Sequence, residues 1–273
     1  MATETTVNSA IAWSPDLTTV AATDAVPDAL ILSTSTVAGR VEGDAVAVRA
    51  AYVDDAAAGF VAEGAEISEA NPGLSEVVVN TGKVAQLVRL SREQFEQPNA
   101  AQLISESVAR AVTTAANAAY IAQVKPTAPA VTPPAGLLNI TGIVNGGAIT
   151  GDLDALADAL ATLETNGATP SHIIASPAAW GYLRRFKVAD DRNDPLLGAG
   201  LNDVVTSAAV TAGSLLVVDK TAIVSAVGDV QVSISDQVYF TSDAVGIRAT
   251  WRFGANLVKP NRIAKLTVTA PSA

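Results

Sequence analysis

The sequence predicts an α+β fold, and the order of its patterns is what predicts it. Strand-like alternation fills residues 45–90, and one long helical stripe follows over 98–124. A single helix–strand–helix insert then leads into a run of strands, without the regular β/α alternation of a parallel sheet.

Residues 1–39 are rich in Thr, Ala, Ser and Asp and are broken by Pro15 and Pro27, so they read as an arm that is extended or orders on contact. One short helical turn fits near Asp28–Ser33. From Ala45 the side chains of Val46, Val48, Ala50 and Tyr52 share one face, which is a strand. Asp54, Asp55, three alanines and Gly59 form a hairpin tip, and the return passes Phe60-Val61-Ala62 and Asn71-Pro72-Gly73, a type II turn signal. Strands resume at Glu76–Asn80 and Lys83–Leu90. A hairpin with acids on its flanks buries too little by itself, so it must lie on something else.

Asn99 is placed to cap the long helix, with Gln102 at the position that reaches back. Its stripe is Ile104, Val108, Val112, Ala115 and Ala119, and it stops before Pro126. Residues 126–151 read as a Pro/Gly-rich connection. Asp152–Thr165 is amphipathic, with Leu153, Leu156, Leu160 and Leu163 on one side and Gly167 at its C-terminal end. His172–Ala175 is a strand, and Ser176 with Pro177 starts a second helix carrying Trp180 and Leu183. Residues 187–203 are a polar loop. Strands then follow at 215–218, 222–227, 230–234, 237–240, 247–252 and 263–268.

Composition removes whole classes of function. Without cysteine, the chain has no disulfides, thiol catalysis or Cys-based metal sites. A net charge of −10 is opposite to that of a duplex-DNA binder. The longest uncharged, proline-free stretches, 111–124 and 204–218, fall short of the ~20 residues of a membrane span, and no signal peptide is visible. Charged residues make up only 16%, against roughly 25% in ordinary soluble domains, which points to a surface covered by copies of the chain.

The charge is also divided. Residues 1–82 hold twelve acids and two bases, Arg40 and Arg49. After Asp243 come only Arg248, Arg252, Lys259, Arg262 and Lys265. Opposite signs at the two ends favour a meeting of those ends, within or between subunits.

No residue set makes a catalytic constellation. His172, the single histidine, sits beside two isoleucines and reads as a hydrogen-bonded strand residue rather than a general base. Asp190, Asp191 and Asp194 lack the spacing and glycine of a calcium loop. Gly198-Ala-Gly200 lacks the third glycine of a dinucleotide loop, and Arg184-Arg185 is a favourable charge pair at a helix end.

The stretch from Ala58 to Glu69 (AGFVAEGAEISE), then Pro72, then Thr81 to Glu93 (TGKVAQLVRLSRE), resembles the major capsid proteins of tailed bacteriophages, the Hong Kong 97-like fold. Ile173 to Trp180 (IIASPAAW) and Asp243–Arg252 are similar to that family's strand-to-helix segment and closing strands. The resemblance implies an N-terminal arm at 1–39 and an extended loop at 40–80. It also implies a peripheral domain from 81–130 and 235–273, and an axial domain at 131–234. The function implied is a virion shell of hexamers and pentamers, assembled in the host cytoplasm, that encloses DNA without reading its sequence. The implied partners are further copies of the chain, a separate scaffolding protein, a portal and a decoration protein. No enzyme activity, cofactor, metal or membrane is implied.

Some members crosslink through a lysine in the extended loop, but the first lysine here is Lys83, so a non-covalent shell is expected. The interface candidates are Glu63, Glu66 and Glu69 on the loop against Arg248, Arg252 or Arg262 of a neighbour. Two alternatives stand beside this reading. One is an encapsulin-type compartment of the same fold, which usually begins with an amphipathic helix that this arm lacks; the other is a soluble oligomeric enzyme with a carboxylate-only site.

Overall fold

The computed structural model describes residues 17–54, 58–61, 63–64, 66–67, 69, 72–97, 100–185 and 203–269. The chain opens with β1 (Leu17–Val20), the short helices α1 (Ala22–Ala25) and α2 (Leu30–Thr34), and β2 (Thr36–Arg40). A hairpin of β3 (Ala47–Asp54) and β4 (Gly73–Asn80) follows, then β5 (Gly82–Ser91), the one-turn α3 (Arg92–Phe95) and the long α4 (Ala100–Ala122). Next come β6 (Val144–Ile149), α5 (Asp154–Thr165), β7 (His172–Ala175), α6 (Pro177–Leu183), β8 (Asp203–Thr206) and β9 (Ser214–Val218). The chain closes with β10 (Ile223–Val227), β11 (Val230–Tyr239), β12 (Ala244–Leu257) and β13 (Ala264–Val268).

Two sheets carry these elements. One has the order β1-β11-β12-β10-β2, with β5 paired to the other side of β12; the second has the order β6-β13-β9-β7-β8. Fourteen residues long, β12 is the spine of the first sheet, and its Trp251 is fully buried. The indole of Trp251 lies 4.6 Å from the Phe253 ring and donates to the Gly228 carbonyl at 2.9 Å, so its one polar atom is satisfied. Helix α4 covers this sheet with Val108, Val112, Ala116, Tyr120 and Ile121. In the second sheet β9 is buried at every position. Leu215 and Val217 face the core with α5 and α6, while Leu216 and Val218 face the α4 core, which is why SLLVV is an unbroken apolar run.

The pairing revises several expectations. Residues 17–40 of the expected arm are ordered on the fold: β1 and β2 join the first sheet, and Val26, Ala29, Leu30 and Ile31 are buried in the core that α4 covers. The Asn117 side chain caps α2 from outside, accepting from the Leu30 N–H at 2.9 Å. The expected turn near 28–33 is α2. The 126–151 connection contains the strand β6, and Gly73 opens β4 without the positive φ a type II turn requires. Gln102 Nε2 donates to Glu106 Oε1 at 3.1 Å. Asn99, the 187–202 loop and the arm before Leu17 lie outside the described residues. Hydrogen bonding also divides the chain differently from the 234/235 boundary: β10 and β11 belong to the first sheet, and β13 to the second.

Tyr120 shows how the N-terminal stretch is tied down. Its hydroxyl meets Thr34 Oγ1 at 3.0 Å inside the core, and burial pushes the phenol well above its ordinary range. A raised folded-state value stabilises the protonated form, so this contribution is full below about pH 10 and is lost as pH rises beyond it. Tyr120→Phe is expected to cost about 1 kcal/mol at neutral pH and to reduce the loss of stability on the alkaline side, read by urea unfolding across pH.

Candidate subunit interface

The hairpin of β3 and β4 is the part of the fold with least to hold it. Its two strands pair from Ala47↔Asn80 to Asp54↔Gly73, a projection of about 26 Å at ~3.3 Å per residue. Within these strands only Ala50 and Val79 are buried. Leu74 is 83% exposed, and beyond the strands Phe60 is fully exposed and Ile67 is 76% exposed. A two-stranded ribbon with apolar side chains in water on both faces is not an independent stable unit.

Its root, in contrast, is clamped. Val41, Ala50 and Val79 pack on Val224 and Ala226 of β10. Thr81 donates its N–H to the Val46 carbonyl at 2.8 Å, and Arg252 Nη1 donates to Thr81 Oγ1 at 3.2 Å. Asn256 Nδ2 donates to the Val78 carbonyl at 2.9 Å. Gly254 permits this approach, since a Cβ there would fall 2.0 Å from the Asn80 carbonyl oxygen.

The charge division is realised inside one subunit, at the root through Asp44 and at the other end of β3 through Asp54. Arg252 Nη2 lies 3.3 Å from Asp44, Lys259 lies 3.6 Å from Asp54, and Lys83 lies 4.0 Å from Asp44. Arg262 faces inward as well, with Nε donating to the Asn166 carbonyl at 3.3 Å and Nη1 3.9 Å from Asp219. Two of the three arginines proposed for neighbours therefore already have partners in their own chain. Arg248 differs. It stands exposed on β12, opposite the exposed Leu87 of β5, and it forms no ion pair among the described residues. Arg89, next along that face of β5, lies 4.8 Å above the Tyr239 ring. Glu63, Glu66 and Glu69 are exposed at the far end of the hairpin and pair with none of these arginines within the subunit among the described residues.

Sequence reasoning missed Asp44, Asp54 and Asp219. Asp219 is the most buried carboxylate here, at 2% exposure. It accepts from the N–H of Thr169 at 3.1 Å, and from the N–H and hydroxyl of Thr221 at 2.9 and 2.7 Å. It sits where β9 leaves one sheet for β10 in the other, beside the second crossing from β12 to β13. Thr221 is two residues on, but the partners that tie Asp219 across the fold, Thr169 and Arg262, lie 50 and 43 residues away, so the sequence does not mark it.

His172 is a half-buried residue of β7 whose Nδ1 lies 2.9 Å from Ser171 Oγ. No cluster of metal-ligating side chains and no helix long and apolar enough to cross a membrane occurs among the described residues. The Asp190–Asp194 loop and Gly198-Ala-Gly200 lie outside them.

The sequence model of the phage capsid family matches residues 28–268. The chain belongs to the phage capsid family. It is thus a structural subunit of a capsid. Solved structures share the fold at low identity. A chain from Mycobacterium phage Cain is 16% identical, covers 89% of this chain and 91% of its own, and has a TM-score of 0.67. One from Mycobacterium phage Adephagia is 15% identical, covers 100% and 96%, and has a TM-score of 0.66. The capsid of an empty GTA particle, computed with C5 symmetry, is 18% identical over 89% and 90%, with a TM-score of 0.66. No curated protein matches the chain.

Proposed function

We propose that this chain is the major capsid protein of a tailed bacteriophage, assembling as hexamers and pentamers into an icosahedral shell that encloses double-stranded DNA. The family match over 28–268 carries this reading, and the uncovered hairpin supports it. In the proposed division, 17–40 and the first sheet with α4 form the peripheral body, the second sheet with α5 and α6 forms the axial body, and the hairpin is the extended loop. Its acidic tip, with Glu63, Glu66 and Glu69, lies on a neighbour's β5–β12 face at Arg248, with Arg252 and Arg262 at its margin. The chain's role is structural rather than catalytic. Scaffolding, portal and decoration proteins complete the particle, which assembles in the host cytoplasm.

The contents of the particle test the proposal. Nuclease-treated particles built from this chain are expected to hold protected duplex DNA; particles filled with protein and free of nucleic acid would make it a storage compartment instead. The shell is also expected to be non-covalent, since the chain has no cysteine and no lysine before Lys83. Mature particles boiled in reductant should run as single-chain bands, and a ladder of multimers would contradict this.

A further inference from the structure

An apolar groove of about 470 Å³ lies between α4 and the β11–β12 side of the first sheet. Val20, Val26, Phe95, Val108, Ile234 and Ile247 line it, with Asp24 and Glu106 among its few charged groups. It is too large to be a packing defect, because protein interiors rarely leave voids bigger than a water. Its lining suits an apolar occupant.

The register of β1 says what reaches it. Leu17 pairs with Ser233 and Val20 with Val230, antiparallel, so the chain before Leu17 heads along β11 toward Ile234, at the Phe95 end of the groove. Pro15 has no N–H to extend that ladder. Ala10-Ile11-Ala12-Trp13 ends one residue before that proline, within a stretch that carries no charge from Thr5 to Pro15. Trp13 is four Cα steps from Leu17, a reach of up to about 14 Å. The flank of α4 lining the groove, from Ser105 to Val112, is about 10 Å long.

We propose that Ala10–Trp13 of the same chain docks in this groove, completing the core between α4 and the first sheet. A tether this short holds the segment at an effective concentration in the ~mM range, which favours the chain's own segment over a second copy's. The proposal does not depend on shell assembly.

The chain has no native cysteine, so engineered ones report cleanly. In the full-length protein, Ile11→Cys with Ala109→Cys, on the groove wall, should oxidise to a disulfide within one chain, seen as a faster non-reduced band of single-chain mass. Disulfide-linked dimers would overturn the proposal, since they would place a second copy in the groove. So would crosslinking no faster than the control pair Ile11→Cys with Ala161→Cys, on the exposed side of α5. If the pair disturbs folding, the single variant decides. Ile11→Cys should react with a maleimide about tenfold more slowly than Ala2→Cys, and Ala109→Trp, which fills the groove, should restore the fast rate. Equal labelling rates for the two single cysteines overturn the docking.

Discussion

Glu66→Lys is expected to abolish shell assembly while leaving the subunit folded. Glu66 is exposed near the end of the hairpin and makes no ion pair among the described residues, so its loss should shift monomer stability by no more than ~0.5 kcal/mol. An exposed pair between Glu66 and a neighbour's Arg248 contributes only about 0–1 kcal/mol. The reversed charge turns that attraction into a like-charge repulsion, and every subunit of the shell repeats it. Particle yield by sedimentation and monomer melting by circular dichroism separate the two effects. Pairing the variant with Arg248→Glu should restore assembly. Normal shells from Glu66→Lys alone would show that the acidic tip lies elsewhere.

Asp219→Ala is expected to be the most damaging single change to the subunit itself. It removes the acceptor of the part-buried N–H groups of Thr169 and Thr221 and of the Thr221 hydroxyl, and leaves Arg262 without its carboxylate. With about 0.5–1.5 kcal/mol for each of the three hydrogen bonds removed, the total is about 3 kcal/mol. Arg262→Ala should cost far less, since that guanidinium is partly exposed and lies 3.9 Å from Asp219. Asp219→Asn should fall between them, because its amide keeps one accepting oxygen. Urea midpoints order the three variants. A loss under about 1 kcal/mol for Asp219→Ala would remove Asp219 as the pin between the two sheets.

The elements that sequence revealed are those whose burial is local. The leucine face of α5, the Ser176-Pro177 start of α6 and the SLLVV strand are set by near neighbours and stand where periodicity and capping put them. The α4 stripe holds at Val108 and Val112 but then turns to Ala116, Tyr120 and Ile121, leaving Ala115 exposed. The Ser176 hydroxyl accepts from Ala179 N–H at 3.1 Å, as a capping residue should. What stayed hidden depends on distant partners. β2 is a strand only because β10, nearly two hundred residues later, offers a parallel edge. β6, with two glycines and no alternation, is held by β13. The same physics governs the site. The acidic bias of the N-terminal third and the basic C-terminal end were plain, and the structure joins them at Asp44–Arg252 and Asp54–Lys259. Which arginine remains for a neighbour required the fold, since Arg252 and Arg262 turn inward and Arg248 does not.

The central claim is that this chain exists to be surrounded by copies of itself. Size-exclusion chromatography of the full-length protein, followed by negative-stain microscopy of the leading fraction, tests it most directly. Closed shells of megadalton mass, with rings of five and six subunits, are the expected result. A population confined to monomers or small open oligomers would contradict it.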